Sequence, residues 1–130
     1  SQLQRLNEFV ECRRSLAKRY DEALHGSCFV TPWQNQNSFS SYHLYVIKLG
    51  NDCLYSRREV FNALRLADIG VNVHYIPIHL HPFYRKKGFK SGDFPFAEDY
   101  YENAISLPLY PKLSETDQDY IISKLLEYSQ

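Results

Sequence analysis

The chain has 130 residues and a mass of 15.4 kDa, the size of one compact domain. Lys+Arg and Asp+Glu both number 15, so the formal charge is zero, which argues against a general nucleic-acid binder with a basic excess. Hydrophobic residues make up 44% and aromatics 15%, enough for a core, but the apolar runs are too short to span a bilayer, so no membrane partner is expected.

The first predicted element is an amphipathic helix from Gln2 to about Leu24. Leu3, Leu6, Val10, Ala17, Tyr20 and Leu24 recur at helical spacing, and Gly26 suits the left-handed position that ends a helix. Ser1 is the one candidate cap before this stripe, and there is no Met, not even at position 1. Both features predict a chain that begins inside a longer protein. Residues 28–32 read as a short strand and 33–41 as a polar loop. Residues 42–49 are rich in strand formers and run into a Gly50-Asn51-Asp52 turn, which predicts a central strand.

Ser56 and Glu59 have capping-box spacing, and Val60, Ala63, Leu64 and Ala67 give the following helix its apolar face, ending near Asp68. Residues 71–76 read as a further strand closed by Pro77. The aromatic and basic stretch 78–92 is predicted to be irregular. Pro95 fits a first helical position with Asp93 as its cap, so a short helix to about Asn103 follows. Residues 105–107 make a brief strand before Pro108. Ser114 and Asp117 resemble a second capping box, opening a last helix whose core side is Ile121, Ile122, Leu125 and Tyr128. Single strands between helices on a small sheet predict an α/β two-layer sandwich in one domain.

Chemistry is harder to read from residue types. Cys12, Cys28 and Cys53 are odd in number and widely spaced, which predicts free buried thiols in a reducing, cytoplasmic setting. His74, His79 and His81 invite a metal reading. Pro77 and Pro82 bend that segment, though, and no carboxylate or Cys stands at ligand spacing, so structural or surface histidines are expected and no metal. Arg85, Lys86, Lys87 and Lys90 interleave with Phe83, Tyr84 and Phe89, which suits a solvated loop, a nucleic-acid backbone or the phosphates of a nucleotide. No nucleophile elbow, Cys–His pair or glycine-rich phosphate loop is present.

One stretch is more specific. Residues 68–79, Asp-Ile-Gly-Val-Asn-Val-His-Tyr-Ile-Pro-Ile-His, resemble the G-I-x-x-x-V-H-Y-x-P-x-H signature of the DegT-type sugar-nucleotide aminotransferases. Residues 41–47 resemble that family's S-x-H-L-Y-V-I strand, with Arg57-Arg58 at the usual distance. Residues 95–98 and 105–113 resemble its P-x-A-E and I-S-L-P-x-x-P-x-L motifs. The opening helix, with Arg13, Arg14 and Tyr20, is similar to the one that joins the family's large and small domains.

The resemblance implies the C-terminal domain of fold type I aminotransferases, a small, mainly antiparallel sheet packed with helices, with residues 1–25 as the interdomain helix and 26–130 as the small domain. The branch it is most similar to makes 4-amino sugars for pseudaminic acid, spore coat and related surface polysaccharides. Such enzymes act as homodimers on a UDP-4-keto-6-deoxy-HexNAc, with pyridoxal phosphate as cofactor and glutamate as amino donor. The family's large domain carries the Schiff-base lysine. None of Lys18, Lys48, Lys86, Lys87, Lys90, Lys112 and Lys124 matches that lysine's motif, so this chain is expected to hold no cofactor and to be inactive alone. Its implied share is substrate binding by Ile69, Gly70, Val71, Asn72, His74 and Tyr75, with His74 and Tyr75 facing opposite sides of a strand. The alternative is a free-standing module that binds a nucleotide-sugar or a protein without catalysis.

Overall fold

The computed structural model describes residues 2–129, apart from the side chain of Gln2; the candidate cap Ser1 lies outside them. A 3-10 turn over Gln2–Arg5 leads into helix α1, Leu6–Ala23, and Gly26 takes the left-handed conformation expected of it, with φ of 77°. Strand β1 is short, Phe29–Val30, and β2 spans Tyr45–Leu49. Helix α2 covers Arg57–Leu66, α3 Pro82–Arg85 and α4 Pro95–Asn103. Strand β3, Ala104–Leu107, and helix α5, Glu115–Leu126, complete the chain.

The three strands form one antiparallel sheet in the order β1-β2-β3. Alternation along β2 buries Tyr45, Ile47 and Leu49 on one face, where Ile105 and Leu107 of β3 join them. Ala17, Tyr20 and Leu24 of the first helical segment, Val60 and Leu64 of α2, and Ile121, Ile122 and Leu125 of α5 close over this face as a single core. The intervening Lys48 points the other way, to Asp99 of α4 at 2.8 Å. Helices on a small antiparallel sheet give the expected α/β two-layer architecture.

The buried aromatic and polar groups of this core all have partners. The Tyr20 and Tyr45 rings stack at 5.0 Å; their hydroxyls donate to the Pro108 carbonyl and the Asp21 carboxylate. Burial pushes both phenols well above their ordinary range, and Asp21 adds to the effect at Tyr45. Fully buried Gln118 of α5 donates to the Leu16 carbonyl at 2.8 Å, tying α5 to α1.

Five expectations need correction. Residues 71–76 do not form a strand. Asn72 exchanges two backbone hydrogen bonds with Ser106, and the ladder stops at that one bridge. The Asn72 side chain takes the next backbone donor, Val73 N–H, and Pro77 has no N–H to offer. The stretch 78–92 is partly ordered, with a 3-10 turn at Ile78–Leu80 and then α3, because Pro82 presets the first helical turn. Asp93 does not cap α4; its carboxylate accepts from the Lys90 N–H instead. Ser114 accepts from the Asp117 N–H, but the short Asp117 side chain reaches only the Ser114 hydroxyl, so the box is half made.

The cysteines are the fifth correction. Cys28 and Cys53 are joined in a disulfide, and only Cys12 is free. The turn after β2 folds back over β1: Gly50 N–H donates to the Cys28 carbonyl at 2.8 Å, and Cys53 N–H to the Gly50 carbonyl at 3.2 Å. A Cβ on Gly50 would stand 2.8 Å from that Cys28 oxygen, so glycine is what lets the turn close. The cysteine count therefore no longer argues for a reducing compartment.

Candidate functional site

The segment singled out by sequence leaves α2 through a tight C-terminal turn. Asp68 has φ of 58°; its N–H donates to the Arg65 carbonyl, and Ile69 N–H reaches back to Leu64. This is a Schellman arrangement with Asp68, not a glycine, in the left-handed position, and Ile69 and Leu64 both enter the core. Val71 is buried too, so the side chains of Ile69 and Val71 serve packing. Gly70 lies between them, exposed, with open space where a Cβ would stand. It faces a cleft of about 590 Å³ lined also by Asp68, Pro108, Tyr110, Asp117 and Tyr120.

Asn72 is exposed. Its Oδ1 accepts from Val73 N–H at 2.9 Å, leaving the amide NH2 as the group available to a ligand. His74 Nδ1 stands 2.7 Å from Ser106 Oγ, so this ring holds the segment onto β3. Tyr75 follows through a cis peptide bond and is 72% exposed. The His74 and Tyr75 rings meet edge to face with centroids 4.6 Å apart, so they do not face opposite sides as strand alternation predicted. Without a continued ladder, nothing enforces that alternation.

The structure adds a second cluster that sequence patterns did not assemble. Pro77, Ile78, His79, Tyr84, Phe89 and Phe94 line an open, mostly apolar groove of about 340 Å³. Beneath it His79, buried, has Nε2 2.8 Å from Glu98 Oε1. The Glu98 carboxylate also accepts from Ser91 Oγ at 2.7 Å and from the backbone N–H of Gly92 and Phe94. The Ser91 hydroxyl, then His79 and the two amides, hold its pKa down to about 2, against an ordinary value of 4.5. Sequence spacing gave His79 no carboxylate partner, because Glu98 arrives from a helix nineteen positions later. No group of three or more metal-type side chains is assembled among the described residues.

These features define a small α/β domain with an exposed backbone-and-amide segment and an open aromatic groove. The model of the DegT/DnrJ/EryC1/StrS aminotransferase family matches residues 1–126, and the chain belongs to that family. It is 38% identical over 125 residues to the spore coat polysaccharide biosynthesis protein SpsC of Bacillus subtilis (strain 168), covering 93% of this chain and 32% of SpsC. Spr1654 of Streptococcus pneumoniae, described as a sugar aminotransferase and solved in apo-, PMP- and PLP-forms, superposes with a TM-score of 0.90 at 34% identity. That match covers 98% of this chain and 32% of Spr1654. Helicobacter pylori PseC, an aminotransferase involved in the biosynthesis of pseudoaminic acid, gives 0.89 at 26% identity, covering 99% of this chain and 35% of PseC. The chain thus spans about a third of the length of the relatives it matches.

Proposed function

We infer that this chain is the C-terminal small domain of a pyridoxal-phosphate-dependent sugar-nucleotide aminotransferase and contributes to substrate binding. The observation that carries this reading is the ordered match to a family of enzymes over residues 1–126, at a third of their length. A homodimer acting in the cytoplasm on a UDP-4-keto-6-deoxy-HexNAc, with glutamate as donor, is the specific form proposed. What supports its amino-sugar part is similarity to SpsC, a spore coat polysaccharide biosynthesis protein, and to PseC, an aminotransferase involved in the biosynthesis of pseudoaminic acid.

The cofactor's covalent site does not fit the described residues. Lys48 and Lys124 line clefts, but Asp99 and Glu127 hold their ammonium groups at 2.8 and 2.6 Å. Glu127 further raises the pKa of Lys124, and an amine kept as an ion-paired cation is a poor nucleophile. No catalytic step is therefore derived from this chain, and it is proposed to be inactive alone. Its own contribution is positional. Gly70 leaves room for close approach along the backbone, the Asn72 amide offers a donor, and the exposed Tyr75 hydroxyl and ring offer a contact surface. His74, held by Ser106, fixes where Asn72 and Tyr75 stand.

In the longer protein, Asn72→Ala is expected to raise KM for the sugar nucleotide several-fold, in line with the loss of one hydrogen bond at about 0.5–1.5 kcal/mol. Retention of pyridoxal phosphate, read from its visible absorbance, should not change. An unaltered KM would remove Asn72 from the site, and the isolated chain acquiring a Schiff-base band would overturn its proposed inactivity.

A further inference from the structure

The sheet has a second face, turned away from the core. Antiparallel sheets that pack one face on a core normally carry polar residues on the other. Here the outward positions are apolar: Val46 of β2, Leu44 just before it, and Val30 of β1, which pairs with outward Lys48. Helix α4 covers part of this face, where Asp99 holds Lys48 at 2.8 Å and neutralises its charge. Beside it Val30, Leu44 and Val46 join Trp33 and Tyr100 in an open groove of about 410 Å³. Trp33 and Leu44 carry the apolar surface on into a groove of about 370 Å³, lined also by Phe39 and Tyr42. Trp33 is 84% exposed, Phe39 79% and Val30 54%, so among the described residues nothing closes over them.

The strand register places this apolar stretch next to the candidate site. Ser106 of β3 stands opposite Val46 on one side and opposite Asn72 on the other, and opposed residues share a face. The Ser106 hydroxyl also holds the His74 ring, at 2.7 Å. The segment from Asn72 to Tyr75, read above as binding substrate, is therefore attached on the same side of the sheet as Val46. The described lysines do not fit the cofactor's covalent site, so the reacting amine has to come from elsewhere and has to face that segment. Whatever brings it approaches from the apolar side. The loop 33–41 that edges the groove is also fastened to α1, through Arg13 to the Ser41 carbonyl and Arg14 to the Ser40 carbonyl. Helix α1 is the element that resembles the connection between the family's two domains.

We propose that this outward face, centred on Val30, Trp33, Leu44 and Val46, is where the cofactor-bearing remainder of the same polypeptide docks. The proposal rests on the small-domain reading above and on relatives of which this chain covers 32%. Burial of apolar surface drives such an association, and it needs no charged partner because Lys48 is already paired. Docking from this side sets the remainder of the protein over Asn72 and Tyr75, so one contact both covers the groove and completes the substrate site. A covalent tether makes that contact intramolecular, and the resulting effective concentration favours it over a second copy of the chain.

The test compares side-chain footprinting of the 130-residue chain with that of the longer protein. Val30, Trp33, Leu44 and Val46 should be modified in the isolated chain and protected several-fold in the longer protein. Leu66 of α2, 87% exposed, should be modified alike in both. Val30→Glu with Trp33→Ser should leave the unfolding midpoint of the isolated chain unchanged, since both side chains are exposed. In the longer protein the same pair should cancel the protection of Leu44 and Val46. A benzophenone amino acid at position 33 should cross-link within one polypeptide and leave the chain mass unchanged. Equal modification of the four residues in both proteins overturns the proposal. So does a cross-link that doubles the chain mass, or protection in the isolated chain that grows with its concentration, since either makes a second copy the occupant. Protection and an intrachain cross-link in a longer protein that turns over no sugar nucleotide would keep the docking face and reject the aminotransferase reading. Turnover with the face unprotected would do the reverse.

Discussion

Glu98 shows how much one side chain organises here. Its two oxygens accept from a hydroxyl, two backbone amides and an imidazole, and these donors come from residues 79 to 94. Because its folded pKa lies near 2, below the ordinary 4.5, its stabilising contribution is complete above pH 4.5 and disappears as pH falls toward 2. The Gly92 and Phe94 amide shifts in NMR should therefore titrate with a midpoint near pH 2, and Glu98→Gln should abolish that transition. A midpoint near 4.5 would show that the donors do not favour the ionised carboxylate. The sequence motif around Pro95 and Glu98 marked this residue without revealing its task. A carboxylate's role depends on donors brought by a folded loop, and no local periodicity encodes the path of residues 88–94.

Among the elements, those with local signals were the legible ones. Ser56 accepts from the Glu59 N–H at 3.3 Å and the Glu59 carboxylate accepts from the Ser56 N–H at 2.8 Å, as the four-residue spacing predicts. Removing the hydroxyl in Ser56→Ala should cost about 1 kcal/mol in urea unfolding with an unchanged denaturant slope. A loss near zero would mean that Glu59 alone suffices to start α2. The apolar faces of α1, α2 and α5 were equally readable, since Tyr20, Leu64 and Leu125 enter the core where the helical period puts them. Residues 71–76 misled because their composition suits a strand while their hydrogen bonding does not. A strand needs a neighbour, and after Asn72 the Ser106 side chain holds His74 where a backbone ladder would continue. Of the candidate site, the exposure of Gly70, Asn72 and Tyr75 follows from that interrupted pairing, whereas burial of Ile69 and Val71 follows from the Schellman turn at Asp68. The aromatic groove escaped notice because its lining is drawn from four separate turns and helices.

At the scale of the whole molecule, the weakest boundary is the one held by the Cys28–Cys53 bond. Strand β1 has two residues and pairs with β2 at only Phe29–Leu49 and Val30–Lys48. Between β1 and β2 runs a polar loop fastened to α1 by two arginine contacts, Arg13 to the Ser41 carbonyl and Arg14 to the Ser40 carbonyl. The disulfide closes this whole excursion, with a sequence separation of 25, and so restricts the unfolded chain as well as the folded one. By loop-closure entropy, reduction should remove about 3.5 kcal/mol of stability. The β2–β3 ladder and the packing of α1, α2 and α5 do not pass through the bond, so the reduced chain should stay folded with a lower unfolding midpoint. Amide exchange should rise across residues 29–44 and stay unchanged across β3 and α5. Maleimide labelling of the unreduced, denatured chain should find one reactive thiol, Cys12, and the Cys53→Ser variant should reproduce the reduced stability without any reductant. Three reactive thiols before reduction, with no shift in midpoint afterwards, would return Cys28 and Cys53 to the free-thiol state that their spacing first suggested. It would leave β1 held by its two backbone pairs, the Gly50 turn and the hydrogen bond from Cys28 N–H to the Ser129 carbonyl.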